Sequence, residues 1–163
     1  MDPGVGRTAD DTRFAEIYAA NFDALVRLAS LLVDSAAAAE DIVQDSFAKL
    51  YTRLETVATP QPWLRTTVVN ACRNERRRLG TARRYGARLA SPETATDQPV
   101  DELISSLRRL PDRQRAVVVL HYYVDLSEAE IAQILGMRIG TVKSALHRAR
   151  ARLQSEVSGE PNR

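Results

Sequence analysis

The chain has 163 residues, room for one ordinary domain or two small ones. A composition that is 44% hydrophobic but only 6% aromatic, rich in Ala, Leu, Val and Arg, favours helices over sheets, and no run approaches the roughly 18 apolar residues that a bilayer span needs. The net charge of +2 hides a segregation: nine acids against four bases from Thr8 to Val57, seven arginines against one acid from Ala71 to Arg88, and five bases with no acid from Gly136 to Leu153.

A first helix is predicted over Thr12 to Val33, where Phe14, Ile17, Tyr18, Phe22, Leu25, Leu28, Ala29 and Leu32 recur at three- and four-residue steps. Asp34 and Ser35 break it and offer caps for a second helix over Ala36 to Val57. That helix sets Ala39, Ile42, Val43, Phe47, Leu50, Tyr51 and Leu54 on one face and Glu40, Asp41, Gln44 and Asp45 on the other. Two prolines between Ala58 and Pro62 predict a short loop. A third helix starts near Trp63, with Trp63, Leu64, Thr67, Val68, Ala71 and Cys72 inward and Asn70, Arg73, Asn74 and Arg77 opposite. Three such stripes bury one shared core.

From Gly80 to Val100 two glycines and two prolines interrupt a polar run, which reads as a flexible linker. The expected fold class is therefore all-α: two small helical domains, residues 10–80 and 101–157, joined by a linker over 81–100. The second domain reads as four helices, Asp101 to Leu110, Asp112 to Val124, Ser127 to Leu135 and Ile139 to about Val157.

Its last two helices form a helix-turn-helix. Ser127 followed by Glu130 is a capping box, and Gly136 suits the left-handed end of the helix it opens. In the next helix Val142, Ala145, Leu146, Ala149 and Leu153 make an inner stripe, and the remaining faces are basic and free of acids. A helix of this width fits the major groove, where its first turns reach base edges. Arg138, Thr141, Lys143, Ser144, His147 and Arg148 are the candidate DNA contacts; Arg150 and Arg152 suit phosphate or solvent.

Cys72 is the single cysteine and reads as a small core side chain; His121 and His147 lie in different segments, so no metal site or cofactor is expected. No nucleophile–base pair or phosphate-cradling glycine loop marks an enzyme. The first residues, MDPGVGRTADD, lack the basic-then-apolar order of a secretory signal, and a cytoplasmic location is expected. Two readings remain on these residues alone: a factor that works with a larger machine through its acidic face, or a stand-alone helix-turn-helix regulator at a two-fold symmetric site.

The order of AEDIVQDSFAKLY, PWLRTTVVNACRNERRR, LPDRQRAVVVLHYYVDLSEAEIA and GTVKSALHRARARL resembles the two-domain, extracytoplasmic-function (ECF) type of bacterial RNA polymerase sigma factor. The resemblance implies that Asp41, Gln44 and Asp45 dock on a coiled coil of the polymerase's largest subunit and that the second domain meets the flap of the second-largest subunit. It implies that Asn70 is part of the pocket that receives a flipped minus-ten base, while Arg73, Asn74, Arg76, Arg77 and Arg78 follow the strand backbone. It assigns the helix-turn-helix to the minus-thirty-five element and an anti-sigma protein as regulator. Ala145 stands where many relatives have an arginine, which implies one phosphate contact fewer.

Overall fold

The computed structural model describes the backbone of residues 3–84 and 99–158 and the side chains of residues 10–82 and 102–156. Most of the expected linker lies outside these residues. Among them the fold is all-α, in two helical domains. Helices α1 (Pro3–Leu32), α2 (Ala36–Tyr51) and α3 (Pro60–Arg84) make the first domain. Helices α4 (Pro99–Arg109), α5 (Asp112–Val118), α6 (Glu128–Leu135) and α7 (Ile139–Ser158) make the second, with a wide π turn over Val119–Tyr123 closing α5.

The apolar periodicity determines how the first three helices meet. Leu25, Leu28, Ala29 and Leu32 of α1 are buried against Ala39, Val43, Phe47 and Leu50 of α2 and Leu64, Val68, Val69 and Cys72 of α3. Phe47 is 2% exposed, which contributes about 2–3 kcal/mol of apolar transfer. Phe14 meets its ring edge-on at 6.1 Å, and Tyr18 at 4.7 Å. Val69, absent from the expected stripe, is fully buried, while Ala71 is only half-buried. The inward face of α3 is thus turned about one residue from the sequence reading.

Helix α1 starts at Pro3, nine residues before the expected Thr12, and α4 at Pro99, two before the expected Asp101; other boundaries differ too. Helix α2 stops at Tyr51 rather than Val57, because successive tight turns take over. Arg53 N donates to Leu50 O and Thr56 N to Arg53 O, and the Thr52 and Thr56 hydroxyls donate to Lys49 O and Arg53 O. Such local side-chain bonds compete with the helical ladder. Helix α3 starts at Pro60, because Pro60 and Pro62 both fall in the first turn, where a missing N–H costs nothing. It also runs through Gly80 to Arg84, four residues into the expected linker.

In the second domain the run from Gln114 to Leu120 is buried along its whole length, with α7 packed along α5 and also meeting α4 and α6. After Val118 the ladder widens: Val124 N donates to Val119 O, five residues back. Val119 and Leu120 stay buried while Tyr122 and Tyr123 turn outward. Asp125 takes a left-handed φ of 60° that directs the chain into α6.

Candidate nucleic-acid interface

The helix-turn-helix is built by its caps. The Ser127 side chain accepts from Glu130 N at 3.3 Å, and the Glu130 carboxylate accepts from Ser127 N at 2.8 Å. The Ser127 hydroxyl also donates to that carboxylate at 2.6 Å, and this bond first, then the one from Ser127 N, holds the Glu130 carboxyl below its usual pKa. Gly136 ends α6 at φ 61°, with Gly136 N donating to Gln133 O and Met137 N to Ala132 O. That is the two-bond Schellman end that glycine permits at no steric cost. Arg138 O then accepts from Val142 N at 3.1 Å, which opens α7 after a turn of three residues.

This turn fixes which side of α7 is free. Val142, Ala145, Leu146 and Ala149 are buried against the domain core. Arg138, Lys143, Ser144, His147 and Arg148 are exposed, and Thr141 is half-buried at the first turn. The Ser144 hydroxyl donates back to Gly140 O at 2.9 Å, and Lys143, 65% exposed, makes only a 3.8 Å approach to Glu128. The six candidates therefore share one accessible region of the helix start. Ala145 is 0% exposed and on the core side of α7. Arg150 lies beside Tyr122, donating to its hydroxyl, with the guanidinium 5.4 Å from the ring centroid.

On α2, Ser35 caps the helix by accepting from Ala38 N. Asp41, Gln44 and Asp45 are exposed on the side opposite Val43 and Phe47. Gln44 donates to Glu40 at 3.4 Å.

The α3 set is divided. Asn74 and Arg77 are exposed, while Asn70 and Arg73 are half-buried. Arg73 Nη1 donates to Leu135 O of the second domain at 3.1 Å, and burial together with the charges of Arg77 and Arg113 pulls its pKa down. Arg76 donates to Asp112 at 2.6 Å, to Leu32 O at 3.3 Å and to Asp34 at 3.4 Å. Arg78 is paired locally with Glu75. Across the same seam Arg115, 1% exposed, donates to Asp34 at 2.9 Å, to Leu107 O at 2.9 Å and to Arg108 O. Sequence reasoning missed Asp34, Asp112 and Arg115 as a group. The one local signal is an arginine inside the otherwise apolar face of α5.

A cationic helix-turn-helix beside a second all-α domain with an acidic helix face defines the class: a helical DNA-binding protein. The Sigma-70 region 2 family matches residues 17–84, and the Sigma-70, region 4 family matches residues 101–153. The chain is 37% identical over 152 residues to the RNA polymerase sigma-E factor of Streptomyces coelicolor, covering 88% of this chain and 85% of that protein. It is 27% identical to the ECF RNA polymerase sigma factor SigW of Bacillus subtilis, covering 93% and 92%. Among solved structures it aligns with the sigma factor RpoE from Bartonella quintana, determined in complex with the anti-sigma factor NepR, with a TM-score of 0.76 and 25% identity over 90% of this chain and 97% of that one.

The chain belongs to the sigma-70 family, as an ECF RNA polymerase sigma factor. It directs RNA polymerase to promoters, and the alternative of a stand-alone regulator falls.

Proposed function

We propose that the exposed side of α2 carried by Asp41, Gln44 and Asp45 is the principal docking surface for core RNA polymerase, meeting a basic coiled coil of the largest subunit. The second domain meets the flap of the second-largest subunit. Arg138, Thr141, Lys143, Ser144, His147 and Arg148 take the minus-thirty-five duplex, the polar side chains toward base edges and the cations toward guanine or phosphate. Asn70, Arg73, Asn74 and Arg77 take the minus-ten strand. The Asn70 amide offers a donor pair and an acceptor to an extruded base, whose flipping costs a few kcal/mol.

In this reading residues 10–80 and 101–157 are the working modules and 81–100 join them. Their work is recognition, with no bond made or broken by the chain itself. The setting is the cytoplasm, and the regulator is an anti-sigma protein; among the described residues no helix is long and apolar enough to cross a membrane.

The observation that carries the proposal is the coexistence, on one chain, of an exposed acidic side on α2 and an exposed acid-free side on the first turns of α7. Transcription of a randomised promoter library with core polymerase tests it. The expected result is enrichment of paired minus-ten and minus-thirty-five sequences only when chain and core are both present. Enrichment of a two-fold symmetric site by the chain alone would refute it.

A further inference from the structure

We infer that Tyr122 is a positioning residue for DNA, and that with Arg150 it forms a clamp for one phosphate of the strand bordering the major groove, beyond the turns of α7 that read bases. The inference rests on the assignment of α7 to the minus-thirty-five duplex made above.

The local backbone dictates where Tyr122 goes. In an unbroken α-helix Tyr122 would lie one turn after Val118 and Val119, both buried, and its ring would be driven inward. The π turn prevents this. With Val124 N bonded to Val119 O and Leu126 N to Leu120 O at 3.1 Å, the chain widens and Tyr122 emerges 57% exposed. His121 holds it there. The imidazole meets the Tyr122 ring edge-on at 4.8 Å. Its Nδ1 faces Leu126 O at 3.1 Å and carries the proton of that bond, since a carbonyl can only accept.

The tyrosine in turn fixes the guanidinium. Arg150 donates its Nε–H to the Tyr122 hydroxyl and lies 5.4 Å from the ring centroid. These contacts remove rotamer freedom that an unsupported arginine would lose on binding. Among the described residues the two Nη amines carry no hydrogen bond, and no carboxylate pairs with Arg150. The charge is therefore uncompensated, and the outer edge of the fork suits the bidentate geometry of a phosphate. The Tyr122 hydroxyl accepts from Arg150 and keeps its own O–H to donate to the same anion.

The place of the pair on α7 says which anion it meets. Arg150 follows Lys143 by seven residues. Two helical turns separate them, so they share a side of α7 and stand about 10 Å apart along its axis. Lys143 approaches Glu128, in the first turn of α6, at 3.8 Å, so this is the side on which α6 begins. The first helix of a helix-turn-helix crosses the sugar-phosphate backbone, while the start of the second lies in the groove. A cation two turns further along, on that side, reaches the wall of a groove about 12 Å wide rather than its floor. The contact there is to backbone, so it adds affinity and register without base preference.

The test scans single methylphosphonate linkages, each removing one backbone charge, through both strands of the minus-thirty-five element in a promoter selected from the randomised library. Binding is measured with the full chain assembled on core polymerase. In the unaltered complex a neutral linkage at the clamped phosphate is expected to cost about tenfold in affinity, the scale of one charge-assisted contact. Arg150→Ala should erase that penalty and leave those at the other phosphates in place. Tyr122→Phe keeps the ring and loses the hydroxyl, and should reduce the same penalty to about threefold. Both side chains are exposed, so helical circular dichroism should not change. A merely structural loss would lower affinity without altering the profile of penalties. If every penalty of the unaltered complex persists in Arg150→Ala, the clamp is overturned. If Arg150→Ala erases one that Tyr122→Phe leaves whole, Tyr122 does not position the cation. The underlying reading has a separate readout: undiminished binding to the element by Lys143→Ala with Arg148→Ala would overturn the assignment of α7, whatever the backbone scan gives.

Discussion

Arg115 and Asp34 stand 81 residues apart in the chain and 2.9 Å apart in the fold, and the guanidinium between them also closes the end of α4 through two carbonyls. One side chain thus serves a helix end in its own domain and a carboxylate in the other. Replacing it with alanine leaves Leu107 O and Arg108 O without their donor. We expect Arg115→Ala to lower the unfolding free energy by about 3 kcal/mol, measured by urea denaturation followed by helical circular dichroism. Arg115→Lys should recover little, because a single ammonium cannot span the directions that the planar fork covers. A loss below about 1 kcal/mol for the alanine variant would mean that water satisfies those carbonyls.

The same pair sets an acid dependence. Burial works to raise the Asp34 pKa, but the Arg115 hydrogen bond and the charges of Arg115, Arg76 and Arg108 outweigh it and hold the carboxyl below 3.8. A carboxyl whose folded pKa lies under its unfolded one stabilises the fold above the unfolded value, and that contribution disappears as pH falls through the folded value. The stability difference between the unaltered chain and Asp34→Asn should therefore be largest near neutrality and shrink below about pH 3.8. Urea unfolding at the two ends of that range measures it. An undiminished difference in acid would assign the role of Asp34 to its shape rather than its charge.

The all-α class and the helix-turn-helix are legible in the sequence because their causes are local. Ser127 with Glu130, and Gly136 in its left-handed geometry, act within one turn of where they stand. Apolar steps along α1 and α2 report their own buried faces. The seam between domains is not legible, because nothing near Asp34 or Asp112 in the sequence marks its partner. Asp34 reads as a helix breaker, and α3 reads as a free cationic face, until the second domain is placed against it. Ala145, by contrast, is legible locally: the stripe that it shares with Val142, Leu146 and Ala149 already places it inward.

The caps of α6 carry a measurable share of the second domain's stability. Ser127→Ala removes the acceptor of Glu130 N and the hydroxyl that donates to the Glu130 carboxylate, while the bond from the residue's own backbone N–H to that carboxylate survives, and it should cost about 1 kcal/mol. Gly136→Ala meets no neighbouring atom, so its penalty comes from φ alone and should also be about 1 kcal/mol. Thermal melts of both variants check this. A neutral Gly136→Ala would mean that the turn relaxes out of the left-handed region.

Charge reversal on α2 separates docking from DNA reading. Asp41 and Asp45 project from the side of α2 opposite its buried Val43 and Phe47, and both are exposed, so lysine at each position leaves the core intact. Asp41→Lys with Asp45→Lys should weaken binding to core polymerase at least about tenfold in a competition assay, as expected when complementary charges become repulsive. Duplex binding by α7 should not fall. Unchanged core affinity would remove α2 as the docking face.

Lys143 and Arg148 are exposed on α7 and lack the aromatic support that holds Arg150 against Tyr122. The Arg148 guanidinium and the Lys143 ammonium, the latter only 3.8 Å from the Glu128 carboxylate, face solvent, whereas part of Arg150 is committed to its own domain. Lys143→Ala with Arg148→Ala should therefore weaken minus-thirty-five binding more than Arg150→Ala does, with core affinity preserved. Salt titration then tells the two kinds of contact apart. A lost phosphate contact lowers the slope of log affinity against log salt by about 0.9 and affects all sequences alike. A lost base contact costs about 1–3 kcal/mol on the preferred sequence and relaxes discrimination at one position. If Arg150→Ala proved the more damaging change, the DNA would have to approach from the Tyr122 side of α7, and the contact surface drawn through Lys143 and Arg148 would be misplaced.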